Sequence, residues 1–458
     1  MEIVKSGNYL IKLPDVSRVL MHKIYQKFSY YNPKTENTKA GFLVLDGYLG
    51  MPRNIEKVKE IFGNDFSIKD KTISTPMKTK MILSDNFKLR PEQVVAVKEI
   101  LAYFKTEDNS CILKAAPGFG KSFILPYIVN KVNTNTLIIT DRTNLVAQMQ
   151  GEFNTNCTEV DLTILNGSNR VPTGVTITTF QFLIRNEKFL VDYANFFGLI
   201  VVDEAHVVGS DVFTKVVGRF NAKYRLGLSA TPTRSDYMTG LLLDVMGTRI
   251  VSASSEGNLK AHLVSCWHKA SFFSFTGSYR KDYSTFLQRK DIMDDVIGTV
   301  KKLASLNRVG LIYITEVEAQ EEYALFLNKA GISAGVINQK ISQENRLSLM
   351  EAMEKDTLQI IVSGNILQKG ISIKRLDYIM NLSNLTKEAH EQLIGRLRRH
   401  HETKGKPMFI DFLFKGKLFD KSLDRRDLSK ELAKRTEDTV SVLEFTKFQE
   451  KLKTRIGE

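Results

Sequence analysis

Short apolar runs recur along the chain, and what lies between them sorts it into units. Between about Pro91 and Val251 the runs Cys111 to Lys114, Thr136 to Thr140, Val175 to Thr179 and Leu199 to Val202 read as buried strands. Amphipathic stretches of helical spacing follow the first, second and fourth. Buried strands alternating with helices predict a parallel sheet covered on both faces. The same alternation returns between about 296 and 414, with strands expected at Leu311 to Thr315, Gly335 to Ile337, Ile360 to Val362, Tyr378 to Leu382 and Met408 to Phe412. A less regular stretch, 252–295, is expected to connect the two and leave a cleft, and a polar helix-like tail, 415–458, to follow.

Residues 1–85 are patterned differently. Strand-like Tyr9 to Leu13 and Gly41 to Leu45 alternate with helix-like Val16 to Phe28 and Ile55 to Phe62. Asn32-Pro33, Gly50-Met51-Pro52 and Gly63-Asn64 supply the turns between them. The expected fold class is α/β: two tandem parallel-sheet domains, 86–251 and 296–414, preceded by a small α+β domain, 1–85.

Composition narrows the function classes. Hydrophobic residues make up 43% and charged residues 25%, the proportions of a folded soluble protein. No apolar stretch approaches the ~18 residues of a membrane span, and the N-terminus lacks the apolar core of a secretory signal. Cys111, Cys157 and Cys266 lie far apart and form neither a CxxC pair nor a disulfide framework, so a reducing cytoplasm is expected. Lys plus Arg is 65 against 51 for Asp plus Glu, a net charge of +14. That surplus suits a polyanionic partner, either nucleic acid or an anionic membrane face. Residues 1–85 contribute with 14 basic against 9 acidic side chains.

The chemistry starts at Ala115-Ala116-Pro117-Gly118-Phe119-Gly120-Lys121-Ser122, between an apolar strand and an amphipathic helix. Such a loop cradles phosphates: glycines let backbone N–H groups turn inward, and the helix N-terminus adds positive potential. Lys121 is expected to reach the β- and γ-phosphates of ATP, and Ser122 to hold Mg²⁺. The first glycine of the general pattern GxxxxGK[ST] is Ala115 here, giving AxxGxGK[ST]. Asp203-Glu204-Ala205-His206 follows the run Leu199 to Val202 directly. An acid at the end of a central strand faces a phosphate loop, so Asp203 is expected to orient Mg²⁺ and Glu204 to deprotonate the attacking water. His206, His390, His400 and His401 have no carboxylate or cysteine cluster at ligand spacing and suggest no separate metal site.

Taken together, these motifs resemble those of superfamily-two helicases over roughly residues 85–414. The resemblance implies two RecA-like domains sharing one ATP. Phe87-Lys88-Leu89-Arg90-Pro91-Glu92-Gln93 resembles the Q motif, which implies that Gln93 reads adenine. Thr140 to Gln148 resembles motif Ia, and Thr178-Thr179-Phe180-Gln181 the next strand-contacting motif, which implies nucleic-acid contacts from Arg142, Thr179 and Gln181. Ser229-Ala230-Thr231-Pro232 resembles motif III, so Ser229, Ala230 and Thr231, with His206, are expected to couple hydrolysis to movement. Gly310 to Ile314 looks like motif IV; Ser363-Gly364-Asn365 with Gly370-Ile371-Ser372 looks like motif V, implying a strand contact from Ser363 and a nucleotide contact from Gly370. Ser372 stands where many members carry an acid, which weakens any ribose contact there. Arg234 is placed either on nucleic acid or in an ion pair.

Gln392-Leu393-Ile394-Gly395-Arg396-Leu397-Arg398-Arg399 fits motif VI, QxxGRxxR. Helical spacing aims Gln392, Arg396 and Arg399 the same way, and a guanidinium suits the charge of a γ-phosphate transition state. The layout of residues 1–85 is similar to phage recombination helicases of the UvsW type, T-five-like phages included. This implies branched DNA as substrate: stalled forks and Holliday junctions. A monomer without membrane attachment is expected, working alongside replication or recombination proteins. An RNA helicase and a nucleotide-switched clamp that does not translocate remain open. Phe28, Tyr30, Tyr31, Phe42 and Tyr48 read as core rather than base-stacking groups, and Trp267 as packing.

Overall fold

The structure is a computed structural model that describes residues 1–63, 65–116, 118–206, 215–230, 232, 237–253, 259–272, 278–364, 373, 375–398, 404–416, 419, 422–436 and 438–456. The chain divides into two compact units, Met1–Gly257 and Asn258–Glu458.

The first unit opens with a small sheet ordered Leu43–Leu45, Tyr48–Met51, Tyr9–Lys12, Glu2–Lys5 and Ser67–Asp70. Helices Arg18–Lys27 and Ile55–Phe62 cover it, burying Ile24, Phe28, Val58 and Ile61 with Tyr9, Ile11 and Leu49. Side-chain caps start both: Ser17 accepts from the Leu20 N–H and Asn54 from the Lys57 N–H. A separate ribbon pairs Ser29–Asn32 with Asn37–Ala40; within it Tyr30 is buried, as expected, while Tyr31 is 57% exposed. The expected boundary at residue 85 shifts. Ile82–Leu83 pairs with Cys157–Glu159, and Ile73 and Pro76 bridge to Ala222 and Thr134, so residues beyond Asp70 run along the larger sheet.

That larger sheet is parallel throughout, ordered Leu162–Ile164, Val175–Thr179, Thr136–Thr140, Leu199–Val202, Tyr224–Ser229, Ser110–Lys114 and Ile250–Ser252. Alternate side chains feed two apolar clusters, Cys111, Leu113 and Ile138 on one face and Ile112, Leu137 and Ile139 on the other. The four expected strands are present, three with the bounds read from the sequence. Short helices Phe180–Arg185 and Glu187–Asp192 follow the third strand, where no helical pattern was evident. The helix expected after the fourth strand falls largely on residues outside the described ones.

The small sheet docks on this core through polar groups as well as apolar ones. Arg53 is buried and donates to the carbonyls of Ala222 (2.7 Å), Lys223 (2.9 Å) and Asp108 (2.5 Å). Arg225, buried inside its strand, donates to the carbonyls of Val245 (2.8 Å) and Gly7. Asp244 accepts from Tyr30, from Asn54 Nδ2 (2.7 Å) and from Lys57 Nζ (2.5 Å). A side chain on Gly7 would place its Cβ 2.2 Å from the Gly218 carbonyl oxygen, so glycine is required by this close backbone approach.

The second unit holds a parallel sheet ordered Ala334–Ile337, Ile360–Ser363, Gly310–Tyr313, Tyr378–Asn381, Met408–Gly416, His262–Phe272 and Thr439–Glu444. All five expected strands are there, and two segments depart from expectation. Within 252–295, His262–Phe272 is a full strand of this sheet and helices Tyr279–Leu287 and Lys290–Ser305 bury Phe286, Leu287, Ile292, Val296 and Val300 in its core. Within 415–458, Thr439–Glu444 forms the sheet's edge, and helices Ser422–Thr436 and Phe445–Ile456 pack beside it. Both segments thus contribute a strand to the second sheet, and the helical character expected of 415–458 is present on either side of that strand.

Candidate active site

The phosphate loop leaves the strand Ser110–Lys114 with the Ala115 N–H donating to the Ser229 carbonyl (3.0 Å). Gly118 (φ +91°) and Gly120 (φ +88°) take the left-handed backbone that only glycine adopts cheaply. Gly120 caps helix Lys121–Val132, and a Cβ on it would sit 2.7 Å from Gln93 Nε2. The loop's carbonyls are held from behind. Gln93 Nε2 donates to the Phe119 carbonyl (2.7 Å), and Arg90 donates to the carbonyls of Phe119 and Gly118. Acceptors turned outward leave the inner side of the loop to donors, as an anion site requires. Gln93 is buried, and its Oε1 accepts from the Arg90 N–H (3.0 Å). Its amide thus braces the loop with one bond from each end. Arg90 was missed by sequence reasoning; the signal was its place just before Pro91 at the start of a helix.

Lys121 Nζ donates to the Ala115 carbonyl (3.2 Å) and lies 3.8 Å from Glu204 Oε1. Asp203 follows Leu199–Val202, is buried, and accepts from the Glu204 N–H (3.0 Å). Burial, then the charge of Glu204, pushes its acid up to about 7, with Lys121 opposing. Glu204 has a left-handed backbone (φ +46°), an uncommon state for a non-glycine residue and one that collects at working sites. His206 Nδ1 lies 3.4 Å from Glu204 Oε2 and 2.9 Å from Ser229 Oγ. Contacts thus run unbroken from the phosphate loop through Glu204 and His206 to Ser229, with Ala230 next in the chain. Two carboxylates beside one lysine favour a further cation, and Asp203 with Ser122 are the residues present to hold Mg²⁺. When bound, Mg²⁺ would neutralise phosphate charge.

The strands carrying Thr140 and Thr179 are parallel neighbours, and Thr140 pairs with Thr179. Arg142, just past one end, is partly exposed and pairs with Asp141 (2.9 Å). Gln181 is exposed and donates to the Asp141 carbonyl (2.9 Å), and Thr179 Oγ1 caps the next helix by accepting from the Phe182 N–H (3.3 Å). Three of the four expected strand-contacting residues therefore gather at the carboxyl ends of these neighbouring strands, where the strand before Asp203 also ends. Ser363 differs: it is fully buried and donates to the Ile337 carbonyl (2.5 Å), so its hydroxyl is spent inside the second sheet rather than offered to a strand.

Gln392 and Arg396 lie half-buried on helix Lys387–Leu397, while Leu393, Ile394 and Leu397 fill the core. Arg398, missed as a site residue, is 3% exposed and donates to Thr436 Oγ1 (2.8 Å) and Asp438. Pro117, Thr231, Arg234, Gly370, Ser372 and Arg399 lie outside the described residues.

Residues 86–234 match the family described as "Type III restriction enzyme, res subunit", and residues 290–401 match "Helicase conserved C-terminal domain". The chain is a superfamily-two helicase. This helicase is 23% identical over 363 residues to "Probable helicase D10" of Escherichia phage T5, covering 77% of each chain. It is 25% identical over 319 residues to "DNA 3'-5' translocase XPB2" of Sulfurisphaera tokodaii, covering 69% of this chain and 70% of that one. In fold the helicase is similar to Dbp5 of S. cerevisiae, solved bound to RNA and ADP BeF3, with a TM-score of 0.55, 14% identity, and 81% and 97% of the two chains covered. The two-domain make-up implies nucleoside-triphosphate hydrolysis.

Proposed function

We propose that this helicase is an ATP-driven DNA translocase that remodels branched DNA, regressing forks and migrating Holliday junctions during phage replication, recombination and repair in the host cytoplasm. The observation that carries the reading is the unbroken contact from Lys121 through Glu204 and His206 to Ser229. It joins the group that senses phosphate to the segment that resembles motif III.

In this reading Lys121 binds the β- and γ-phosphates, and Glu204 takes a proton from the attacking water. His206 shares its ring nitrogen with Ser229, so a change in the charge or position of Glu204 reaches the end of the strand Tyr224–Ser229. Gln392, Arg396 and Arg399 steady the charge developing on the γ-phosphate. Arg142, Thr179 and Gln181 grip the nucleic-acid backbone through phosphate oxygens, which carry no sequence information. DNA is favoured by the relative named a DNA 3'-5' translocase; the likeness to an RNA-bound structure is one of fold. The docked small sheet, with its share of the basic surplus, supports a second hold on duplex arms.

The test compares ATPase on single-stranded DNA, duplex, forked DNA, a four-way junction and RNA, repeated across a salt titration. Branched DNA is expected to stimulate turnover most, with affinity falling steeply as salt rises. Stimulation by RNA alone would install the RNA-helicase reading instead.

A further inference from the structure

The geometry assigns Asp438, beyond the residues that either family description matches, as a positioning residue for motif VI. It holds the end of the motif VI helix through a buried ion pair with Arg398. This rests on the proposed use of Arg396 in ATP turnover.

Arg398 caps helix Lys387–Leu397, two residues after Arg396 and one before Arg399. It is fixed by main chain and side chain together. Its carbonyl accepts from the Leu259 N–H (3.1 Å). Its guanidinium donates to Thr436 Oγ1 (2.8 Å) and to Asp438 Oδ2. The two side chains are 3% and 0% exposed. The other Asp438 oxygen, Oδ1, accepts from the Ala261 N–H (2.7 Å), at the entry to strand His262–Phe272. One carboxylate therefore ties together the end of the motif VI helix, the end of helix Ser422–Thr436 and the start of a sheet strand.

The same two helices are laced elsewhere: His390 shares a hydrogen bond with Ser429 (2.9 Å), and Lys387 pairs with Glu431 (3.4 Å). Those contacts hold the front of the motif VI helix, while Asp438 holds its end, where the arginines sit. A buried ion pair is weak as a source of stability but strong as a constraint on geometry, because Arg398 cannot leave its partner without stranding a charge. Misplacing a group that acts on a transition state lowers turnover far more than it lowers substrate binding.

The experiment uses the full chain and measures steady-state ATPase together with affinities for ADP and for ADP–aluminium fluoride. Asp438→Asn is expected to lower kcat about tenfold, hold KM for ATP within about twofold, and weaken ADP–aluminium fluoride about tenfold with ADP unchanged. Loss of folded protein scales kcat but leaves the ratio of the two affinities alone, so the ratio separates positioning from mere stability. Arg396→Ala serves as reference and should shift the ratio further. If Arg396→Ala shifts it and folded Asp438→Asn does not, the assignment of Asp438 is overturned. If Arg396→Ala leaves it unchanged, the underlying use of motif VI is overturned instead. Thr436→Val strands no charge and covers the case in which Asp438→Asn fails to fold. It is expected to lower kcat about threefold and weaken ADP–aluminium fluoride about threefold with ADP affinity unchanged, and an unchanged ratio of the two affinities in it would overturn the assignment.

Discussion

At the scale of single residues, the phosphate loop and its two acids were legible because their chemistry leaves little choice of residue type. A glycine at positive φ, a lysine at a helix start and adjacent acids at a strand end each have few substitutes. Lys121→Ala is expected to reduce hydrolysis by roughly 10³-fold or more, read as steady-state ATPase, and wild-type turnover in that variant would contradict the phosphate-loop reading. Hydroxyls and amides were less legible, since they bond to the chain's own backbone as readily as to a ligand. Gln93 braces the loop and Ser363 ties two strands together, and nothing in their neighbours signals either choice. Histidine shows the same ambiguity with a measurable consequence. His390 is fully buried against Ser429, and burial lowers its pKa to about 4. The unfolded chain takes up this proton near its ordinary ~6.5 and the folded chain does not, so this contribution to stability is present above ~6.5 and lost as pH falls towards 4. Urea unfolding of the second unit should lose on the order of 2–3 kcal/mol over that interval, and His390→Gln should flatten the slope.

At the scale of elements, the fully apolar central strands could be read almost to the residue, because burial on both faces allows little else. Several of the strands that were missed carry polar groups into the core or lie at an edge. Tyr224–Ser229 contains Arg225, His262–Phe272 contains Ser265 and His268, and Thr439–Glu444 lies at an edge with one side open. Their apolar runs are broken, and only their neighbours in space complete them. The docking of the small sheet was hidden for the same reason. Its buried polar contacts change what deletion would mean. Removing residues 1–85 strips partners from Arg225 and Asp244, so the core is expected to unfold and lose ATPase along with any junction activity. A point variant is cleaner. Asp244→Ala leaves Tyr30, Asn54 and Lys57 without their shared acceptor and is expected to destabilise the first unit by about 2–4 kcal/mol, measured by thermal unfolding.

At the scale of the whole molecule, the net charge of +14 divides among tasks. Lys121 faces its phosphate loop, Arg53 and Arg225 are interior struts, and Arg142 is one of the cations left at the surface near the expected strand path. Net charge therefore overstates the surface available to a polyanion, and the motifs rather than the surplus carry the functional reading. The most direct measurement follows a four-way DNA junction with ATP, comparing the wild-type chain with Glu204→Gln. Wild type is expected to hydrolyse ATP and convert the junction to branch-migrated products, while Glu204→Gln binds the junction and ATP but yields neither ADP nor products. Junction conversion by Glu204→Gln at the wild-type rate, or a wild-type chain whose ATPase ignores the junction and leaves it intact, would contradict the account.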